Sequence, residues 1–302
     1  MAGVRREVVD VRGVPVSALV LAVPEPRAVV VALHGGGSNA AYFHDALWPR
    51  MSLLEVGAAL GFTVVSLDRP GYGASSGHGA AFATADQRVE LVYAALDLLC
   101  PVGSWGAGYF VVAHSLGCAL AMRMAATERG SGLLGIELSG TGVRLSERAV
   151  ELTAEWAAIE MRPGALPSAL REIIWGPPEL YPPGGGASSR PPSSPPPPSD
   201  ALDWAGWSAK FPVLAGAVPV PVRYVVGDHE RWWRPAREDL EDVASRFTAS
   251  PRVIVDAQFR GGHNLSRGRS STAYHLKVMA FVEECILDKP AAFNQLNQAS
   301  AG

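Results

Sequence analysis

Tyr109-Phe110-Val111-Val112-Ala113-His114-Ser115-Leu116-Gly117-Cys118 is the stretch on which the fold turns. Residues 109–113 are a short apolar run rich in β-branched and aromatic side chains, the composition of a strand covered on both faces. A helical pattern over residues 115–128 follows without any turn residues between. A serine at such a junction is forced into a sharp strand-to-helix turn, and only small residues two positions to either side avoid a clash there. Ala113 and Gly117 meet that requirement. The turn would present the Ser115 hydroxyl at the sheet's edge and aim a helix N-terminus at it, which favours negative charge developing nearby.

Outward from this junction, strand and helix signals alternate. Residues 8–11 and 16–22 are β-branched runs separated by Arg12-Gly13, which reads as an antiparallel hairpin with a tight turn. Residues 28–33 form a continuous apolar strand ending at His34-Gly35-Gly36-Gly37. Helix then strand follow at 52–60 and 63–67, at 84–99 and 109–113, and at 115–128 and 133–138. This order predicts an α/β fold, with a mostly parallel central sheet, right-handed crossovers and flanking helices.

The alternation breaks after Ser139. Residues 141–210 carry helical pieces at 145–160 and 167–175, then a Pro/Gly/Ser stretch at 182–199 with almost nothing to bury, expected to be an extended or disordered loop. The sheet pattern resumes with a strand at 222–226, a helix opening at Pro235, a strand at 252–255 and a last helix at 271–287. Residues 1–140 and 211–302 therefore read as one core, and 141–210 as a cap (lid) inserted over the crevice where open α/β sheets bind ligands.

Composition narrows the function. A chain of 302 residues, 48% hydrophobic, buries one substantial core. A net charge of -3 without a Lys/Arg block supplies no field for phosphate backbones, so nucleic acid is not an expected partner. Cys100, Cys118 and Cys285 are an odd, widely spaced set, which fits a reducing, cytoplasmic setting. Residues 1–10 alternate charge and valine rather than forming a signal peptide, and no apolar run reaches membrane-spanning length. The histidines lack paired ligand spacing and the cysteines offer no CxxC, so neither metal nor cofactor is expected. The expected partner is a small-molecule substrate, bound by a monomer or homodimer.

Four further loops bear on Ser115. His34-Gly35-Gly36-Gly37 lets backbone amides approach a ligand closely. Asp68-Arg69-Pro70-Gly71-Tyr72-Gly73-Ala74-Ser75 follows a strand, and Asp68 and Arg69 are expected to fix loops by charge-assisted hydrogen bonds. Val226-Gly227-Asp228-His229-Glu230 places acids at a strand's carboxyl end, and Gly261-Gly262-His263-Asn264 puts a histidine on a loop between the last strand and last helix.

Together these motifs resemble the α/β-hydrolase superfamily over about residues 15–288, cap excepted. Ala113 departs from its usual Gly-x-Ser-x-Gly elbow. The resemblance implies a catalytic triad of Ser115, Asp228 and His263 in this fold's chain order, with Glu230 the nearest substitute acid if the loop is shifted. It also implies an oxyanion hole from the amides of Gly36 and Leu116, with Gly35 as the alternative to Gly36. The loop at 68–75 is similar to that of capped esterases, peptidases and lactonases. A serine hydrolase acting on an ester-type bond through an acyl-enzyme is the expected function, ahead of a thioesterase or a non-hydrolytic eliminase, lyase or cyclase. A ligand-binding protein that has lost catalysis is the rival class. Serine rather than aspartate at the elbow disfavours dehalogenase and epoxide-hydrolase chemistry. His114, Trp156, Trp175, Trp207 and Trp232 are expected to contact a largely apolar substrate.

Overall fold

A two-residue reversal opens the chain. β1 (Arg5–Val11) and β2 (Val14–Leu21) pair antiparallel around Arg12 and Gly13, at φ 54° and 87°, the left-handed turn that matches the natural strand twist. Then come β3 (Val29–Leu33), α1 (Leu53–Ala59), β4 (Thr63–Leu67), α2 (Ala85–Leu99), β5 (Tyr109–His114), α3 (Gly117–Ala125) and β6 (Gly135–Ser139). Among the described residues, four α-helices follow before the next strand: α4 (Glu147–Ala158), α5 (Ser168–Trp175), α6 (Pro198–Trp204) and α7 (Trp207–Gly216). β7 (Val222–Gly227), α8 (Arg237–Ser245), β8 (Val253–Gln258) and α9 (Ser271–Leu287) complete the order. The computed structural model describes residues 3–101, 103–158, 168–183 and 193–288.

The strands form one eight-stranded sheet in the order β1-β2-β4-β3-β5-β6-β7-β8, parallel from β4 to β8. β2 joins β4 antiparallel. Every residue of β3 to β7 is buried, so those strands are apolar on both faces rather than alternating, except for a few buried polar residues such as Ser66, Glu137 and Arg223. The pleat still sorts them. Val30, Ala32, Val64, Phe110 and Val112 pack with Leu53, Leu54, Tyr274 and Val278 from α1 and α9. Val29, Val31, Leu33, Val111 and Ala113 pack on the other face with Val92, Leu96, Ala119 and Met122 from α2 and α3. Helix starts follow local chemistry: the Ser52 hydroxyl accepts the Glu55 amide, and Thr84 forms a capping box with Gln87.

Inside β6 and β7 lies a buried ion pair. One terminal nitrogen of Arg223 (Nη1) reaches both oxygens of Glu137 at 2.8 and 2.9 Å, and the other (Nη2) meets Asp256 at 2.7 Å. Among the described helices none is long and apolar enough to cross a membrane.

The insertion holds more helix than its composition suggests. Of the expected loop at 182–199, residues 184–192 lie outside the described residues, and α6 already begins at Pro198. Proline suits a first helical position because its missing N–H needs no partner there. Long-range ion pairs, invisible to a local pattern, secure α6: Asp200 to Arg69, and Asp203 to Arg88 and Arg123. α7 buries Trp207, Phe211 and Ala215 at helical spacing beside α3, but Pro212 within it and apolar residues on its other faces hide that pattern in the sequence.

Candidate active site

Ser115 sits at φ 52°, a left-handed conformation that costs a non-glycine residue about 1–3 kcal/mol and persists only where surroundings impose it. Its amide donates to the Ser139 carbonyl of β6 at 2.8 Å, and its carbonyl accepts the Cys118 amide at 2.9 Å. The turn is thus locked between β5 and α3. Gly117 is required there: a Cβ would lie 2.4 Å from the Leu33 carbonyl oxygen. Ala113 stands where a glycine is more usual, its methyl buried in the core.

The glycine loop after β3 lies directly on this turn. A Cβ on Gly35 would come 3.0 Å from that of Ser115, and one on Gly36 would come 2.7 Å from Leu116 Cδ1. His34 sets the loop's first peptide, its Nδ1–H donating to the Gly35 carbonyl at 2.8 Å while Nε2 accepts the Arg69 amide at 3.1 Å. Burial, reinforced by the Arg69 charge, pushes the His34 pKa down, so this neutral tautomer holds at ordinary pH. Among the described residues, neither the Gly36 nor the Leu116 amide donates to a protein acceptor. Both are left to a ligand.

His263 is buried, and its Nδ1 meets Glu230 Oε2 at 3.0 Å. The other carboxylate oxygen of Glu230 accepts the amides of Arg231 and Trp232 at 3.0 and 2.8 Å, so both oxygens are engaged. The acid chosen from the sequence, Asp228, is elsewhere. It bonds His229 Nδ1 at 2.7 Å and the amides of Arg260 and Gly261 at 2.9 and 3.0 Å. Desolvation works against its charge, but these hydrogen bonds hold its carboxyl below the usual aspartate range. The cause is the turn at the end of β7. The Glu230 amide donates back to the Gly227 carbonyl at 3.0 Å, and Gly227 presses so closely on Gly261 that a Cβ would lie 2.3 Å from its carbonyl oxygen. Position 228 is thereby turned toward the 260–261 backbone and position 230 toward the imidazole.

Gly140 closes the circle behind β6: a Cβ there would lie 2.5 Å from His114 and 3.2 Å from His263. His114 stacks on Tyr42 at 4.5 Å and meets His263 edge-on at 4.9 Å. Burial, then the neighbouring His263, pushes its pKa down, and its Nδ1 has no hydrogen-bond partner among the described residues. It packs as a neutral ring beneath the glycine loop.

The expected tryptophans disperse. Trp207 is buried with its indole N–H on the Gly142 carbonyl, and Trp232 packs beside Trp204 at 5.7 Å. Trp175 stacks edge-on against Tyr181, in a segment lying over Gly262. The side chain of Trp156 falls outside the described residues. Trp204 and Trp233 belong to the same set. With Leu145, Thr153 and Trp207 they line a cavity of about 380 Å³ between α4, the α6–α7 corner and the segment after β7. The Trp233 indole N–H donates to the Gly140 carbonyl at 2.9 Å, linking that cavity to the backbone against which both imidazoles rest.

A family model described as the alpha/beta hydrolase family matches residues 30–269, a span that includes the Ser115 turn, Glu230 and His263. The chain belongs to the alpha/beta hydrolase family. Solved structures share this alpha/beta hydrolase architecture at low identity. A carboxyl esterase from Bacillus coagulans is 18% identical with a TM-score of 0.65, over 95% of this chain and 100% of that one. A monoglyceride lipase from Saccharomyces cerevisiae is 14% identical with a TM-score of 0.66, over 94% and 96%. A thioesterase domain from the curacin biosynthetic pathway is 19% identical with a TM-score of 0.57, over 92% and 100%. These likenesses concern the fold. No curated protein matches the sequence.

Proposed function

We propose that this chain is a serine hydrolase cleaving a carboxylic ester or lactone of a small, largely apolar substrate through an acyl-enzyme, with Ser115, His263 and Glu230 as its triad. The observation that carries the reading is the strained Ser115 turn beside Gly36 and Leu116 amides that have no acceptor among the described residues, with the neighbouring His114 ring in edge contact with His263, whose Nδ1–H is held by the buried Glu230 carboxylate. Glu230 fixes the tautomer that leaves His263 Nε2 as the base. Ser115 Oγ attacks the acyl carbon as Nε2 takes its proton, and the oxyanion forms against the two amides. The same proton then goes to the departing alcohol. Water, deprotonated by the freed imidazole, releases the acid.

The inserted helices are read as a cap, and the open tryptophan-lined depression on them, tied to the site through Trp233 on the Gly140 carbonyl, is the candidate place for the apolar part of the substrate. Two of its indole N–H groups, those of Trp207 and Trp233, are spent on the Gly142 and Gly140 carbonyls, so these two rings offer faces rather than polar edges to a ligand. The likeness to a thioesterase domain supports a second reading, an acyl thioester as substrate. A panel of p-nitrophenyl esters, lactones and acyl thioesters, run with wild type and Ser115→Ala, tests both. The proposal expects ester or lactone turnover that Ser115→Ala abolishes; turnover confined to thioesters selects the second reading, and activity surviving Ser115→Ala removes both.

A further inference from the structure

The peptide that carries the Gly36 N–H is held through its carbonyl, on Gly35, by His34. The next peptide is held through its N–H: Gly37 donates to the Tyr72 hydroxyl at 2.8 Å. Tyr72, fully buried, donates in turn to Asp200 Oδ2, and burial pushes its pKa up, which keeps it a donor. Asp200 belongs to α6, in the inserted segment, and Arg69 grips it with two bonds of 3.0 and 2.9 Å. The same segment reaches the loop once more, where the Ser194 amide donates to the Gly37 carbonyl at 3.0 Å. The glycine loop is therefore pinned on one side by the core and on the other by the insertion.

Resting on the serine-hydrolase reading above, we infer that Asp200 is a positioning residue for the oxyanion hole: through Tyr72 it sets the Gly36–Gly37 peptide, so that the hole is complete only when α6 is docked. A carboxylate buried with a bidentate arginine is costly to place and strongly directional. That cost is unnecessary for merely seating α6, which Asp203 also ties down through Arg88 at 3.3 Å and Arg123 at 3.4 Å, away from the loop. Asp200 differs in standing beside the loop, its Oδ2 3.4 Å from where a Gly36 Cβ would be. Docking of α6 and assembly of the oxyanion donors are then one event, which confines catalysis to substrates the closed insertion accepts.

The test compares steady-state hydrolysis of a p-nitrophenyl ester by wild type, Asp200→Asn, Tyr72→Phe and Asp203→Asn, each checked for folding by circular dichroism. Tyr72→Phe keeps the Arg69–Asp200 pair and removes the hydroxyl that joins Asp200 to the Gly37 amide, cutting both of its hydrogen bonds. It is expected to lower kcat about tenfold to a hundredfold with KM within about threefold, the signature of lost transition-state stabilisation. Asp200→Asn is expected to move kcat in the same direction. Asp203→Asn loosens the same helix and is expected to keep kcat within about twofold. Asp200→Asn leaves Arg69 buried without a charge partner and is the variant at risk of misfolding; Tyr72→Phe then decides alone. Wild-type kcat in Tyr72→Phe, or an equal loss in Asp203→Asn, overturns the inference while leaving the serine-hydrolase reading intact. Wild type without any hydrolysis of ester removes that reading, and this inference with it.

Discussion

Exchanging Glu230 for glutamine changes one atom and should nearly abolish turnover. Oε1 receives two backbone N–H groups, from Arg231 and Trp232, so the glutamine oxygen must take that side. Its NH2 then faces His263 Nδ1, where the carboxylate oxygen stood at 3.0 Å. Two donors cannot share that contact, and the ring shifts its proton to Nε2, the atom that must receive the Ser115 proton. The analogous wrong-tautomer substitution in a serine protease lowers kcat about 10⁴-fold. A loss of about 10³–10⁴, or ~4–5.5 kcal/mol of barrier, is expected here. Asp228→Asn provides the contrast: its partners are His229 and the Arg260 and Gly261 amides, so only the turn is weakened, and activity should stay within about tenfold. The assay is kcat on a p-nitrophenyl ester with folding checked by circular dichroism. Glu230→Gln retaining activity while Asp228→Asn loses it would refute the assignment of the acid.

Other perturbations probe the frame around the site. Arg223→Met strands Glu137 inside the sheet without its charge partner, and chemical denaturation should register a loss of about 3–5 kcal/mol. Gly117→Ala drives a methyl onto the Leu33 carbonyl, and about 1–3 kcal/mol of stability should go with it, together with the Ser115 geometry and activity. His275, buried against Ser266, has its pKa pushed down by desolvation from 6.5 to about 3. The unfolded chain binds that proton first, so stability present above pH 6.5 is lost as pH falls toward 3. By pH 5 the loss from this residue amounts to about 2 kcal/mol, and His275→Gln should flatten the pH dependence of unfolding over that range.

Much of this was legible in the sequence because it is local. Largely apolar runs marked β3 to β7, and a serine between a strand and a helix required small neighbours, which Ala113 and Gly117 supply. What escaped is set by distance. The carboxylate that meets His263 lies two residues beyond the expected Asp228 because the turn after β7 is shaped by Gly227 against Gly261, a contact across 34 positions. α6 was hidden because a proline-rich stretch with two aspartates has no helical signature until Arg69, Arg88 and Arg123 arrive from the core. Tyr72 lay in plain view in the loop at 68–75, but its task depends on Gly37 and Asp200, which only the fold brings to it.

Covalent labelling addresses the central claim most directly: a fluorophosphonate reacted with the folded protein, and the adduct located by peptide mass spectrometry. One adduct is predicted, on Ser115, absent in Ser115→Ala and formed far more slowly in Glu230→Gln. An unreacted Ser115 in folded protein, or an adduct on a different residue, would contradict the account.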